Sequence, residues 1–135
     1  MPGSFLDTNV LVYLASGDPA KADCVETLLA SGCTISVQVL NEIANVACRK
    51  MKLGWEEARD FLEMVRALTI VEPVSIETHD EGLRLAARYN LSVYDSMIVG
   101  AALLAGCETL WSEDMQDGLR IDERLLIRNP FVMEQ

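Results

Sequence analysis

A chain of 135 residues, half of them apolar, has the length of one domain and the means to bury one substantial core. Its formal net charge of −10 excludes a simple basic surface for nucleic acid and leaves room for a cation site or a basic partner. The four cysteines form no CxxC pair and there is one histidine, which argues against the common zinc sites, and no apolar run has membrane-spanning length.

The first informative stretch is Ser4 to Leu14. Phe5 and Leu6 read as the end of a short buried strand, and Asp7 breaks the apolar run at once. A carboxylate between two apolar stretches is costly to bury without compensation. Asp7 or Asn9 either caps the helix expected from Asn9 to about Ser16, or Asp7 is a metal ligand at the carboxyl end of a first strand. Asp18-Pro19 opens a second helix, with Asp as N-cap and Pro at the first helical position, and Gly32 closes it. Cys33 to Ser36 reads as a buried strand, and Ser36 as the N-cap of a helix from Val37 to about Lys52. On that helix Val39, Leu40, Ile43, Ala44, Val46 and Ala47 share one face, and Glu42 flanks the apolar stripe.

Gly54 separates the next amphipathic helix, Trp55 to Ala67, with an apolar set of Ala58, Phe61, Leu62, Val65 and Leu68. Ile70 to Pro73 is a short strand; Pro73 suits its end or a sheet edge. Ser75 or Thr78 caps a helix ending near Asn90, on whose solvated face His79 lies. Ser92, with Asp95 three residues on, resembles a capping box before an all-apolar helix, Met97 to Ala105, which must be buried. Asp95 is either a capping carboxylate or a site residue at that helix's start. Thr109-Leu110-Trp111 is a further buried strand that runs into the acidic loop Ser112 to Gly118, and Leu125 to Ile127 suits a last strand. The cysteines read as small buried apolar residues. No N-terminal basic segment followed by an apolar one marks secretion, so a cytoplasmic protein is expected.

Strand and helix alternate throughout, which implies βαβ units and a mainly parallel sheet covered on both faces. Asp7, Glu42, Asp95 and Asp114 all map to the carboxyl edge of that sheet. If they converge, their mutual repulsion is about 1–4 kcal/mol per pair at a separation of ~4 Å. Hard divalent cations relieve it, and an all-oxygen set suits Mg²⁺ or Mn²⁺ and phosphodiester hydrolysis.

The stretches Phe5-Leu6-Asp7-Thr8-Asn9, Asn41-Glu42, Tyr94-Asp95-Ser96-Met97-Ile98 and Leu110 through Gly118 resemble the motifs of PIN-domain ribonucleases, and more narrowly those of VapC toxins from bacterial toxin–antitoxin pairs. The resemblance spans nearly the whole chain, in order, and its last motif is the most specific. It implies a single PIN-like domain over residues 1–135, a three-layer α/β/α sandwich with a mainly parallel sheet of about five strands, and an endoribonuclease dependent on Mg²⁺ or Mn²⁺. It also implies a homodimer, inhibited by a small VapB-like antitoxin. By the same resemblance Asp7 and Asp95 are metal ligands, Glu42 orients water or completes the shell, and Asp114 holds a second or water-mediated ion. Asp117 is an accessory metal candidate or the turn residue before Gly118. Thr8 and Ser112 are hydroxyls expected to donate to phosphate or to the carboxylates. RNA contacts are expected from Arg49, Lys50 and Lys52, or from Arg120, Arg124 and Arg128. An antitoxin segment bearing Arg would find the acidic pocket attractive. Related readings are a PIN-fold nuclease of RNA processing or decay, and a non-catalytic metal-binding module of the same fold. Receiver and haloacid-dehalogenase-like domains need a late Lys, whereas the lysines here are Lys21, Lys50 and Lys52.

Overall fold

The computed structural model describes residues 3–132. The chain begins in the middle of its own sheet. Strand β1 (Ser4–Leu6) is followed by a single α-helical turn, α1 (Thr8–Leu11), which tightens into 3₁₀ helix over Val12–Ala15. Helix α2 (Pro19–Ala30) leads to β2 (Cys33–Ser36), and helices α3 (Val37–Arg49) and α4 (Trp55–Leu68) lead to β3 (Thr69–Glu72). The antiparallel-looking pair α5 (Ile76–Tyr89) and α6 (Val93–Leu104) then returns the chain to β4 (Thr109–Trp111), and a hairpin of β5 (Arg120–Ile121) and β6 (Leu125–Arg128) completes the sheet.

The strand order is β3-β2-β1-β4-β6-β5. Five strands run parallel, with Phe5 opposite both Thr34 and Leu110; β5 alone is antiparallel, paired to β6 through Arg120↔Leu126 and Ile121↔Leu125. Helices cover the sheet on both sides, giving the expected three layers. The sixth strand is an addition to the expected five. It is two residues long and turns back through Asp122 and Glu123, whose φ values are +50° and +58°. Neither is Gly, so the usual hairpin signal is missing from the sequence.

The winding explains where a site can form. From β1 the chain moves outward to β2 and β3, then crosses to the other side of β1 for β4. The direction of winding therefore reverses between β1 and β4, and the crevice at the carboxyl ends of such strands is where open α/β sheets build their sites.

The local signals mostly hold. Asp18 caps α2 by accepting from the Lys21 amide, and Gly32 follows with φ +86°. Ser75 accepts from the Thr78 amide at the start of α5. Helix α6 begins at Val93 rather than Met97, because Ser92 caps it, accepting from the Asp95 amide at 3.1 Å. Ser36 precedes α3 but its buried hydroxyl makes no cap bond. The core gathers Phe5, Leu6, Ile35, Ile43, Leu110 and Ile127, all fully buried. Leu68, placed by periodicity on the apolar side of α4, is exposed, as is Ile70 on β3: both lie where the sheet ends. All four cysteines are free; Cys33 and Cys107 are buried, whereas Cys24 and Cys48 are only half-buried.

Helix α6 is buried from Ser96 to Leu103 because α5 lies directly against it. The contact is made at two glycines. A Cβ on Gly100 would stand 3.2 Å from the Gly82 amide nitrogen and 3.4 Å from its Cα. Backbone cannot rotate away as a side chain can. Gly100→Val is therefore expected to cost about 1–3 kcal/mol through overpacking, and to lower the melting temperature by several degrees. A calorimetric scan with an unchanged midpoint would mean that the two helices separate freely.

Candidate active site

Asp7 leaves β1 at its carboxyl end. Its backbone amide still bonds to the Trp111 carbonyl of β4 at 3.0 Å, so the side chain is fixed by the sheet itself. It is only 4 % exposed. One carboxylate oxygen accepts from the Thr8 amide at 2.7 Å, which makes Asp7 the N-cap of α1. The other accepts from the Ser112 hydroxyl at 2.8 Å and from the Asn9 amide at 3.3 Å. The two readings of Asp7, cap and site residue, are thus compatible, and capping is what the structure displays. Burial pushes its carboxyl up to about 6, against the pull of the Ser112 and Thr8 hydrogen bonds; the charges of Asp95 and Glu42 add to the rise.

Glu42 reaches the same place from the middle of α3. Thr8 Oγ1 donates to its Oε1 at 2.6 Å, and Gln38 Nε2 donates to its Oε2 at 2.9 Å. The same Gln38 amide donates to the Tyr94 carbonyl at 3.0 Å, tying α3 to the first turn of α6. Asp95 stands on that turn, half-buried. Burial raises its carboxyl above the ordinary range, with Glu42 and Asp114 contributing, while the Ser92 hydrogen bond lowers it. Asp114 is exposed on the loop after β4. These four carboxylates line one cleft of about 610 Å³, and the basic residue among its lining is Lys50.

The loop that carries Asp114 is held from two sides. Ser112 bonds to Asp7 and accepts from the Met115 amide at 3.2 Å. Asn9 Oδ1 accepts from the Glu113 amide at 3.0 Å. The Glu113 carboxylate accepts from Tyr13 Oη at 2.7 Å and from Lys21 Nζ at 3.0 Å, and Lys21 packs over the rings of Tyr13 and Phe131. Although burial opposes it, these bonds hold the Glu113 carboxyl below the usual range. Tyr13, Lys21, Gln38 and Glu113 were not candidates from the sequence. The one usable signal was the position of Gln38, four residues before Glu42 on a helix.

For Asp117, the two hydroxyls and the C-terminal arginines, the structure favours one of the two readings that the sequence left open. Asp117 is not in the cleft: its Oδ1 accepts from the Asn129 amide at 2.9 Å and pairs with Arg128 at 3.6 Å, so the end of β6 draws it aside, as a turn residue. Thr8 and Ser112 donate to the carboxylates, the second of the two roles expected of their hydroxyls, and Ser112 is fully buried. Arg120 and Arg124 line a different hollow, with Cys107 and Thr109, and Arg128 is turned to Asp117.

Among the described residues no three acidic, histidine or cysteine side chains stand together as a ready-made chelating group. Mg²⁺ and Mn²⁺ do not need such a group, because they are held through one or two carboxylates and several waters. The oxygen-only chemistry of the set and the repulsion felt by Asp7 and Asp95 both suit such an ion.

Residues 4–119 match the family model of the PIN domain. No curated protein sequence matches the chain. Among solved structures, it is similar to a toxin–antitoxin complex from Klebsiella pneumoniae, with a TM-score of 0.73 and 20 % identity, covering 97 % of this chain and 100 % of that one. It is similar to VapBC2 from Rickettsia felis bound to a promoter DNA fragment, with a TM-score of 0.70, 20 % identity, and 93 % and 97 % covered. VapC20 of Mycobacterium tuberculosis, described as a Sarcin-Ricin loop cleaving toxin, gives a TM-score of 0.66 at 18 % identity, with 83 % and 90 % covered. At these identities the likeness is one of fold, and the family follows from the model that spans most of the chain: this protein belongs to the PIN-domain family.

Proposed function

We propose that this chain is a cytoplasmic endoribonuclease that requires Mg²⁺ or Mn²⁺ and acts as the toxin of a VapBC-type pair. The observation that carries the reading is the meeting of Asp7, Glu42, Asp95 and Asp114, drawn from four separate parts of the chain, in one cleft at the switch point of the sheet. The described relatives support RNA as the polymer and a small antitoxin as the partner, since one is named for cleaving the Sarcin-Ricin loop and others are toxin–antitoxin complexes. An antitoxin segment bearing Arg suits the carboxylates of the cleft. Trp55 and Ile76 are 73 % and 78 % exposed, apolar surface of the kind that a homodimer or a partner covers.

In this reading Asp7 and Asp95 hold the ion, with Asp114 completing the set or binding a second ion through water. When bound, the ion polarises the phosphate and offsets the charge that builds on it. The chain's own part is orientation. Thr8 and Gln38 fix both oxygens of Glu42, which orients the attacking water and takes its proton as the water oxygen bonds to phosphorus. The phosphorus–oxygen bond to the leaving nucleotide breaks, and that oxygen takes a proton from solvent. Ser112 and Asn9 keep Asp7 in place throughout.

The test is incubation of purified protein with total RNA, with Mg²⁺ or Mn²⁺ and with chelator, followed by mapping of new 5′-ends. Discrete cuts that need the ion and vanish in Asp95→Asn support the reading. Intact RNA under every condition would leave the non-catalytic module.

A further inference from the structure

Nucleic-acid affinity usually comes from Lys and Arg on phosphates. This cleft lacks that resource: four carboxylates line it, and Lys50 is the basic residue among the lining. An ion held by the acids can grip the phosphate that is cut, but the neighbouring nucleotides need other contacts. Two features of the rim provide them. Tyr94 stands on the first turn of α6, next to Asp95, and is 74 % exposed although that helix is buried from Ser96 to Leu103. Its carbonyl is tied to α3 by Gln38, so the exposed ring sits on an anchored backbone. On α3, to which that carbonyl is tied, Asn41 and Asn45 lie one turn apart, both exposed and both lining the cleft. Among the described residues their side-chain amides have no hydrogen-bond partner, so each keeps donors and an acceptor free.

We propose that Tyr94 is a stacking platform for an unpaired base beside the scissile phosphate, and that Asn41 and Asn45 read the edge of that base. This rests on the ribonuclease reading above and adds a subsite to it. Every base has a π-face, so stacking holds single strands with little sequence preference. An amide side chain can then discriminate by its paired donor and acceptor, as Asn does with adenine. Bases inside an A-form duplex offer no free face, so the subsite selects unpaired segments.

The test uses the full chain with Mn²⁺ and a single-stranded hexaribonucleotide carrying 2-aminopurine, its linkages phosphorothioate to slow cleavage. Wild type and Tyr94→Phe are expected to bind it and quench its fluorescence. Tyr94→Ala is expected to bind roughly 5- to 100-fold more weakly, without the quenching. In cleavage of single-stranded RNA the same variant raises KM far more than it lowers kcat. Asn41→Ala with Asn45→Ala flattens the preference among otherwise identical oligonucleotides of different bases. Unchanged melting temperature and sedimentation for Tyr94→Ala exclude misfolding or a lost protein contact as the cause. Wild-type binding and cleavage by Tyr94→Ala would overturn the subsite while leaving the nuclease intact. A Tyr94→Ala variant that changes sedimentation but binds RNA normally would overturn it too, and assign the ring to a protein interface. A wild-type protein that neither binds nor cleaves RNA would bring down both the subsite and the reading beneath it.

Discussion

Asp7→Asn is expected to make the metal-free protein more stable at pH 7 while stopping RNA cleavage. The reason is the cost of a buried, ionised carboxylate. The Asp7 carboxyl rises from 3.8 to about 6 chiefly through burial. Each unit is 1.36 kcal/mol, so the ionised form costs on the order of 3 kcal/mol in the folded state relative to the unfolded one. Below pH 4 the group is protonated in both states and the cost is absent. Between about 4 and 6 the native state holds a proton that the unfolded state has lost, so stability falls as pH rises; above 6 the deficit is complete. Asn keeps the cap, because its oxygen can still accept from the Thr8 amide. Its nitrogen can no longer accept from the Ser112 hydroxyl or from the Asn9 side-chain amide, which takes back part of the gain. The expected net is about 1–2 kcal/mol, or roughly 3–8 °C in melting temperature at pH 7 in chelator, shrinking towards nothing at pH 4. Cleavage should drop by roughly 100-fold or more. A variant less stable than wild type at both pH values would mean that the ionised carboxylate serves the fold rather than the site.

Adding Mg²⁺ or Mn²⁺ is expected to reverse that deficit in the wild type. An ion present at ~100 times its dissociation constant stabilises the state that binds it by about 2.7 kcal/mol. In a domain of this size that is roughly 6–15 °C. The rise should be larger at pH 7.5 than at pH 5, because Asp7, titrating at about 6, must give up its proton to hold the ion. It should be blunted in Asp7→Asn. An equal rise in that variant, or an equal rise from NaCl at matched ionic strength, would place the ion elsewhere or reduce the effect to screening.

The two expectations share one physical origin. The fold tolerates an acidic cleft that lowers its own stability, and the residues around it hold the acids in place rather than neutralise them. Thr8, Ser112, Asn9 and Gln38 are neutral donors, and the ion pair of Lys21 with Glu113 holds the loop instead of the cleft. On the proposed function, activity and stability would be set against each other at Asp7.

Much of this was legible in the residues. Short apolar runs bounded by capping residues located β1, β2, β4 and β6 and most of the helices, because caps such as Asp18, Ser75 and Ser92 act over three or four residues. Three of the cleft acids were legible because Asp7 and Asp114 follow strands and Asp95 begins a helix at the same edge; Glu42, in the middle of α3, was legible only as a charge flanking an apolar stripe. What was not legible depends on contacts distant in sequence. Asp117 was a fair metal candidate until β6 placed Arg128 and Asn129 beside it. The clasp of Tyr13, Lys21 and Glu113 joins residues 92 and 100 positions apart. Strand β5 has two residues and no periodicity; Tyr89 from α5 secures its turn, accepting from the Asp122 amide at 2.7 Å. Leu68 read as core because helical periodicity alone puts it on the apolar side of α4; for β3, where Ile70 is exposed, Pro73 was the local sign of a strand end or sheet edge.

The central claim is that Asp7 and Asp95 share a divalent cation at the switch point of the sheet. Anomalous diffraction from crystals grown with Mn²⁺ tests it most directly. The account predicts one strong anomalous peak between those two carboxylates, on the side of the cleft that Glu42 and Asp114 line. Peaks confined to other acidic surfaces, with the cleft holding only water at saturating Mn²⁺, would contradict it.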